Sequence, residues 1–143
     1  MVPRGVRSGM TLVEVVVALA ITGLAVGGIV TGYAFCTASA EKASLALAAN
    51  ARAMERIEEA RSAKWDLSSW PTIDQLVATN FAQKVVTLDL AGSGVGATSA
   101  TIQTEISKIS TNPPLKRIRV NCIWSFKGVP VTNTIETLRA PDQ

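Results

Sequence analysis

Between Val15 and Ala40 the chain carries no Asp, Glu, Lys or Arg. As a helix rising about 1.5 Å per residue, this run would be about 39 Å long, enough to cross the hydrocarbon core of a bilayer with some tilt. It reads as a membrane segment. The apolar sequence already begins at Met10, however, and Glu14 interrupts it. An ionised carboxylate at the start of such a helix is costly unless something pairs with it. Glu14 therefore calls for a cationic partner.

Ahead of the run stand a short basic leader containing Arg4 and Arg7, then Gly9, then Met10-Thr11-Leu12-Val13-Glu14-Val15. This arrangement resembles the class III signal of type IV pilins and type II secretion pseudopilins. The resemblance implies that a prepilin peptidase cuts between Gly9 and Met10. It also implies that the same enzyme N-methylates the Met10 amine and that Glu14 is the family's assembly glutamate. The partners it implies are other pilin or pseudopilin subunits, an inner-membrane assembly platform and, before assembly, membrane lipid. The chain departs from the family pattern in two places. Met10 replaces the usual phenylalanine, and the kinking proline expected near Thr31 is absent, while Gly23, Gly27, Gly28 and Gly32 remain. Each glycine weakens a helix by up to about 1 kcal/mol, which suits local melting on assembly and close helix packing equally.

A chain of 143 residues with such an anchor has room for one small domain, because the membrane run is lost to any soluble core. The expected division is a leader at 1–9, a membrane-spanning and filament-core half-helix at 10–40, and a periplasmic head at 41–143. Arg4 and Arg7 account for two of the 14 basic residues, leaving 12 against 11 acidic ones after Gly9. The basic balance thus speaks for orientation, with the amino end cytoplasmic, and not for nucleic acid. A secretory signal peptide cut at Ala38-Ser39-Ala40 fits poorly, since its uncharged apolar core should be about 7–15 residues. A lipoprotein signal fails because bulky Phe35 precedes Cys36. Cys36 and Cys122 are too few for a disulfide framework and are expected to be free, buried thiols.

No proline occurs between Pro3 and Pro71, so Met10 to about Ala63 is expected to be one helix. Its outer half places Leu45, Ala49, Ala53, Ile57 and Ala60 on one face, with Arg52, Glu55, Arg56, Glu58, Glu59 and Arg61 elsewhere. The apolar face should receive a sheet; the charged face reads as weak surface ion pairs or as contacts between subunits. Trp65, Trp70 and Pro71 mark the turn that follows, both tryptophans being expected to pack on the helix. Thr72-Ile73-Asp74-Gln75 has capping-box spacing and predicts a short helix from Ile73 to about Asn80.

Strands are expected over Lys84 to Leu90 and around Ala100, Ile102 and Ile106. Gly92-Ser93-Gly94-Val95-Gly96 reads as a flexible loop, because no Lys-Ser/Thr follows to make it a phosphate loop. After Asn112-Pro113-Pro114, Ile118, Val120, Cys122, Trp124 and Phe126 alternate with Arg117, Arg119, Asn121 and Ser125, Ile123 being the exception. Lys127-Gly128 reads as a turn into an edge strand from Val129 to Leu138, with Pro130 suited to an edge. Arg117 and Arg119 read as solvated charges. The stretch from Trp124 through Thr134 to Arg139 resembles, far more weakly than the N-terminus, the tail of small minor pilins and pseudopilins.

The chain has no histidine, the usual general base and commonest metal ligand, and two isolated cysteines do not make a zinc site. No enzyme, cofactor, metal or nucleic-acid site is expected. The fold expected is α+β and pilin-like: one long N-terminal α-helix, membrane-spanning in its first half, packed by its second half on a small antiparallel β-sheet. The function expected is to assemble, as a minor subunit of a pilus or pseudopilus. The alternatives are a major filament subunit and a single-span anchored binding module that never polymerises.

Overall fold

Unbroken helix-forming sequence does fold as one helix, α1, from Leu12 to Ser62. A computed structural model describes residues 10–88 and 97–142 of the chain. The leader and the Gly92–Gly96 loop lie outside the described residues. The chain divides into two units, Met1–Glu41 and Lys42–Gln143, and α1 contributes to both.

In the first unit every described residue from Met10 to Thr37 is exposed. The helix is long and apolar enough to cross a membrane, with a mean hydropathy of 2.3 over its most apolar window. Threonine hydroxyls in it are satisfied by its own backbone: Thr22 Oγ1 donates to the Ala18 carbonyl at 2.8 Å and Thr31 Oγ1 to Gly27 at 2.9 Å. That removes a polar cost in a medium without water. Helix α1 passes through Gly23, Gly27, Gly28 and Gly32 without a break, and a Cβ at any of them would meet nothing within 4 Å.

In the second unit the helical apolar face is buried as expected: Leu45, Ala49, Ala53, Ile57 and Ala60 all enter the core. Three of the five are alanine and fully buried. The sheet is an antiparallel meander of β3 (Lys84–Thr87), β4 (Ser99–Thr111), β5 (Pro114–Phe126) and β6 (Val129–Arg139), in that order across it. Inward residues Ile118, Val120, Cys122 and Trp124 of β5 join Ala100 and Ile102 of β4 around the helical face. Phe126 is half-buried at the end of the same row, and Ile123 is half-buried on the other face. The β5–β6 turn needs two residues at positive φ, and Lys127 at 49° and Gly128 at 79° supply them.

The charged face of α1 carries spaced pairs, Arg52–Glu55 at 3.0 Å, Arg56–Glu59 at 2.5 Å and Arg61–Glu58 at 3.0 Å. Arg56 does more than pair: its guanidinium also donates to Thr104 Oγ1 and the Ala82 carbonyl and lies 5.3 Å from the Phe81 ring centroid. It thereby ties the helix to β4 and to the segment before β3. On the sheet's outer face Arg119 is held by Glu136, with Glu105 at 3.9 Å, while Arg117 is exposed.

Three expectations need correction. Ile73–Asp74 forms a two-residue strand, β2, against Trp65–Asp66 (β1), and no helix starts there. The capping-box residues are engaged elsewhere: Asp74 holds Lys116, and Gln75 exchanges bonds with the Lys64 backbone through its own N–H and its Oε1. Only a 3₁₀ turn, Ala78–Asn80, survives of the expected helix. Trp65 packs in the core, but Trp70 is 96% exposed. Both cysteines are free, yet only Cys122 is buried; Cys36 lies exposed on the apolar half of α1.

Candidate functional site

The segment that carries the sequence signal is the start of α1. Met10 precedes the helix and is exposed, and Thr11 stands at the N-cap position. The Glu14 N–H donates to Thr11 Oγ1 at 3.3 Å, and the Val15 N–H donates to the Thr11 carbonyl at 3.2 Å. The Thr11 side chain thus satisfies one donor that a helix start leaves unpaired, while its carbonyl accepts the first bond of the helix. The spacing Thr11-x-x-Glu14 is that of a capping box, a signal present in the sequence whose role as a helix start went unread there.

Glu14 lies in the first turn, where the positive end of the helix dipole favours a negative charge. It is exposed, and among the described residues its carboxylate has no ion-pair partner. The segment therefore presents an acid at the head of an apolar cylinder, with the chain's own backbone engaged and the acid free to meet another molecule. Gly9, the other expected processing residue, lies outside the described residues. Among the described residues no group of His, Cys, Asp and Glu could hold a metal ion.

Among the described residues of the head, one cation is buried, Lys116. Lys116 falls on the inward face of β5, in phase with Ile118 and Val120, and is buried. Its Nζ donates to Asp74 Oδ1 at 2.7 Å, Asp74 Oδ2 at 2.6 Å and the Leu76 carbonyl at 2.7 Å. Alternation in the sequence could have placed Lys116 inward, but nothing local announces that Asp74 would meet it. Burial also pushes the Cys122 thiol above its ordinary pKa, which suits a packing role better than a reactive one.

In comparison with known families, residues 4–30 fit the model of the prokaryotic N-terminal methylation motif. No curated protein matches the chain, and no solved structure does. The match covers the leader, the glycine, the Glu14 block and much of the apolar helix, and stops short of the head. It bears out the class III signal and supports a subunit of the pilin or pseudopilin type that a prepilin peptidase processes. Signal and apolar helix together are consistent with membrane anchoring.

Proposed function

We propose that this chain is a structural subunit, a minor one, of a type IV pilus-like or type II secretion pseudopilus filament, and not an enzyme. Prepilin peptidase cuts between Gly9 and Met10 and methylates the new Met10 amine, which stays cationic. The subunit then waits in the cytoplasmic membrane with its amino end cytoplasmic and its head periplasmic, until an inner-membrane assembly platform lifts it into the filament. There Glu14 of one subunit pairs with the Met10 amine of a neighbour.

The observation that carries this reading is an exposed acid in the first turn of a helix whose next 26 residues carry no charge, inside the matched methylation motif. Breaking a buried charge pair by removing one partner costs about 3–5 kcal/mol. A subunit docked out of register pays that penalty, so the pair acts as a register device. The short head, with no disulfide-closed loop among the described residues, favours a minor component.

The test is the mature protein itself. Co-expression with a prepilin peptidase should yield a chain beginning at N-methylated Met10, and Gly9→Ala should abolish the shift in mobility. Immunogold labelling of sheared filaments should mark sparse positions. Continuous labelling would make the chain a major subunit, and retention of all of it in the membrane fraction would overturn the assembly reading.

A further inference from the structure

Strand β4 runs on to Thr111, but its neighbour β3 pairs only with Ser99 to Ile102. On the edge of β4 that faces away from β5, Gln103 and Thr104 are met by Gln83 and Arg56, and the Ala78–Asn80 turn lies against the strand. Farther on, from Ser107 to Thr111, that edge has no strand partner among the described residues. An open edge is a template for another strand unless something covers it.

The far end of that edge carries an unbalanced charge. Lys108 of β4 sits directly across from Lys116 of β5, and like charges so placed repel. Lys116 is neutralised by Asp74, and with the Leu76 carbonyl its three donors are all used. Lys108 has no hydrogen-bond or ion-pair partner among the described residues. Of the two ammonium groups only that of Lys116 is therefore paired. Beside them is a cavity of about 240 Å³, walled by Trp65, Leu67 and Pro114. A second, open depression of about 360 Å³ follows β4 itself from Lys108 to Thr111. Ile109, the residue bulged out of the β4–β5 ladder, is 51% exposed between them.

An open backbone edge, apolar walls and an uncompensated cation together describe one kind of occupant. We propose that the β4 edge from Ser107 to Thr111 binds an extended acidic segment of a partner protein. The segment adds as a further strand and sets a Glu or Asp side chain against Lys108. A second copy of this chain is a poorer fit through its other edge strand, because the one acid on β6, Glu136, is already held by Arg119 and Pro130 has no N–H to give. The inference stands whether or not the chain assembles into filaments.

The test uses the full chain, ¹⁵N-labelled in detergent micelles, titrated with the peptide acetyl-Thr-Val-Glu-Val-Thr-amide and with its Gln counterpart. The acidic peptide should shift the amides of Ser107 to Thr111 and the Trp65 indole N–H. It should bind about two- to fivefold more tightly than the Gln peptide, the range of an exposed ion pair. Lys108→Gln should erase that preference, and Lys84→Gln, which removes an exposed cation on β3, should leave it intact. No shift along β4, shifts centred elsewhere, or equal binding of the two peptides would overturn the proposal.

Discussion

Arg139 Nη1 donates to the Ala63 carbonyl at 2.6 Å and to the Ala60 carbonyl at 2.9 Å, so the end of the last strand closes the end of the helix. Carbonyls there have no partner within the helix, and a cation at that end also opposes the dipole. Asp142 steadies the guanidinium at 2.7 Å and accepts the Trp65 N–H at 2.9 Å, while its own N–H donates to the Trp65 carbonyl. Helix, β1 and C-terminal segment thus form one hydrogen-bonded joint.

Arg139→Met keeps most of the side-chain stem and removes the donors. Hydrogen bonds to charged groups are worth about 1.5–3 kcal/mol, and the head should lose that much stability. Urea unfolding followed by tryptophan fluorescence measures it. A loss below roughly 0.5 kcal/mol, the scatter of ordinary surface changes, would mean that water replaces the arginine without cost.

The Lys116–Asp74 pair predicts an asymmetry. Asp74→Ala leaves a buried ammonium without its counter-charge and should destabilise the head by about 3 kcal/mol or more. Lys116→Met leaves Asp74, which is partly exposed, to water and fills the space against Trp65 with an apolar chain. It should cost clearly less, because replacing buried charge by apolar volume is often near neutral. Equal losses in the two variants would sink this account.

These two joints mark where the sequence stopped being informative. The periodicity of Leu45, Ala49, Ala53, Ile57 and Ala60, the alternation of Ile118 to Trp124 and the Lys127-Gly128 turn are short-range patterns, and each folded as read. Arg139 with Ala63 and Lys116 with Asp74 are long-range meetings that no local pattern encodes. The same gap explains the helix misread at Ile73: capping-box spacing is a weak local preference, and pairing with Trp65–Asp66 overrode it. At the N-terminal segment the matched motif was legible in full, while the role of Thr11 at the helix start was not.

Acid should loosen the head through two aspartates. The Ser68 hydroxyl and N–H, with the Ser69 N–H, hold the Asp66 carboxyl below its ordinary value of 3.8. The Trp65 N–H and then Arg139 do the same for Asp142. Because both folded values are depressed, the unfolded chain binds more protons in this range. Their contribution is complete above the ordinary value and drains as pH falls from about 4 through the lower folded values. The melting temperature should fall over that window, and Asp66→Asn with Asp142→Asn should flatten the fall. An unchanged acid limb in the double variant would refute the assignment.

At the start of α1, Thr11 and Glu14 can be separated experimentally because one supplies a cap and the other a charge. Thr11→Val removes the hydroxyl that accepts the Glu14 N–H and should cost the helix start about 1 kcal/mol, while the carboxylate stays. Glu14→Gln keeps the length of the side chain and the backbone bond to Thr11 but takes away the charge proposed to pair with a neighbour's Met10 amine. If register is set by charge, Glu14→Gln should be processed normally yet vanish from sheared filaments, and Thr11→Val should assemble near the wild-type level. The measurement is filament-bound subunit divided by processed subunit, each by quantitative immunoblot. Wild-type incorporation of Glu14→Gln would show that the acid acts only as part of the helix start, and the ionic register would have to be abandoned.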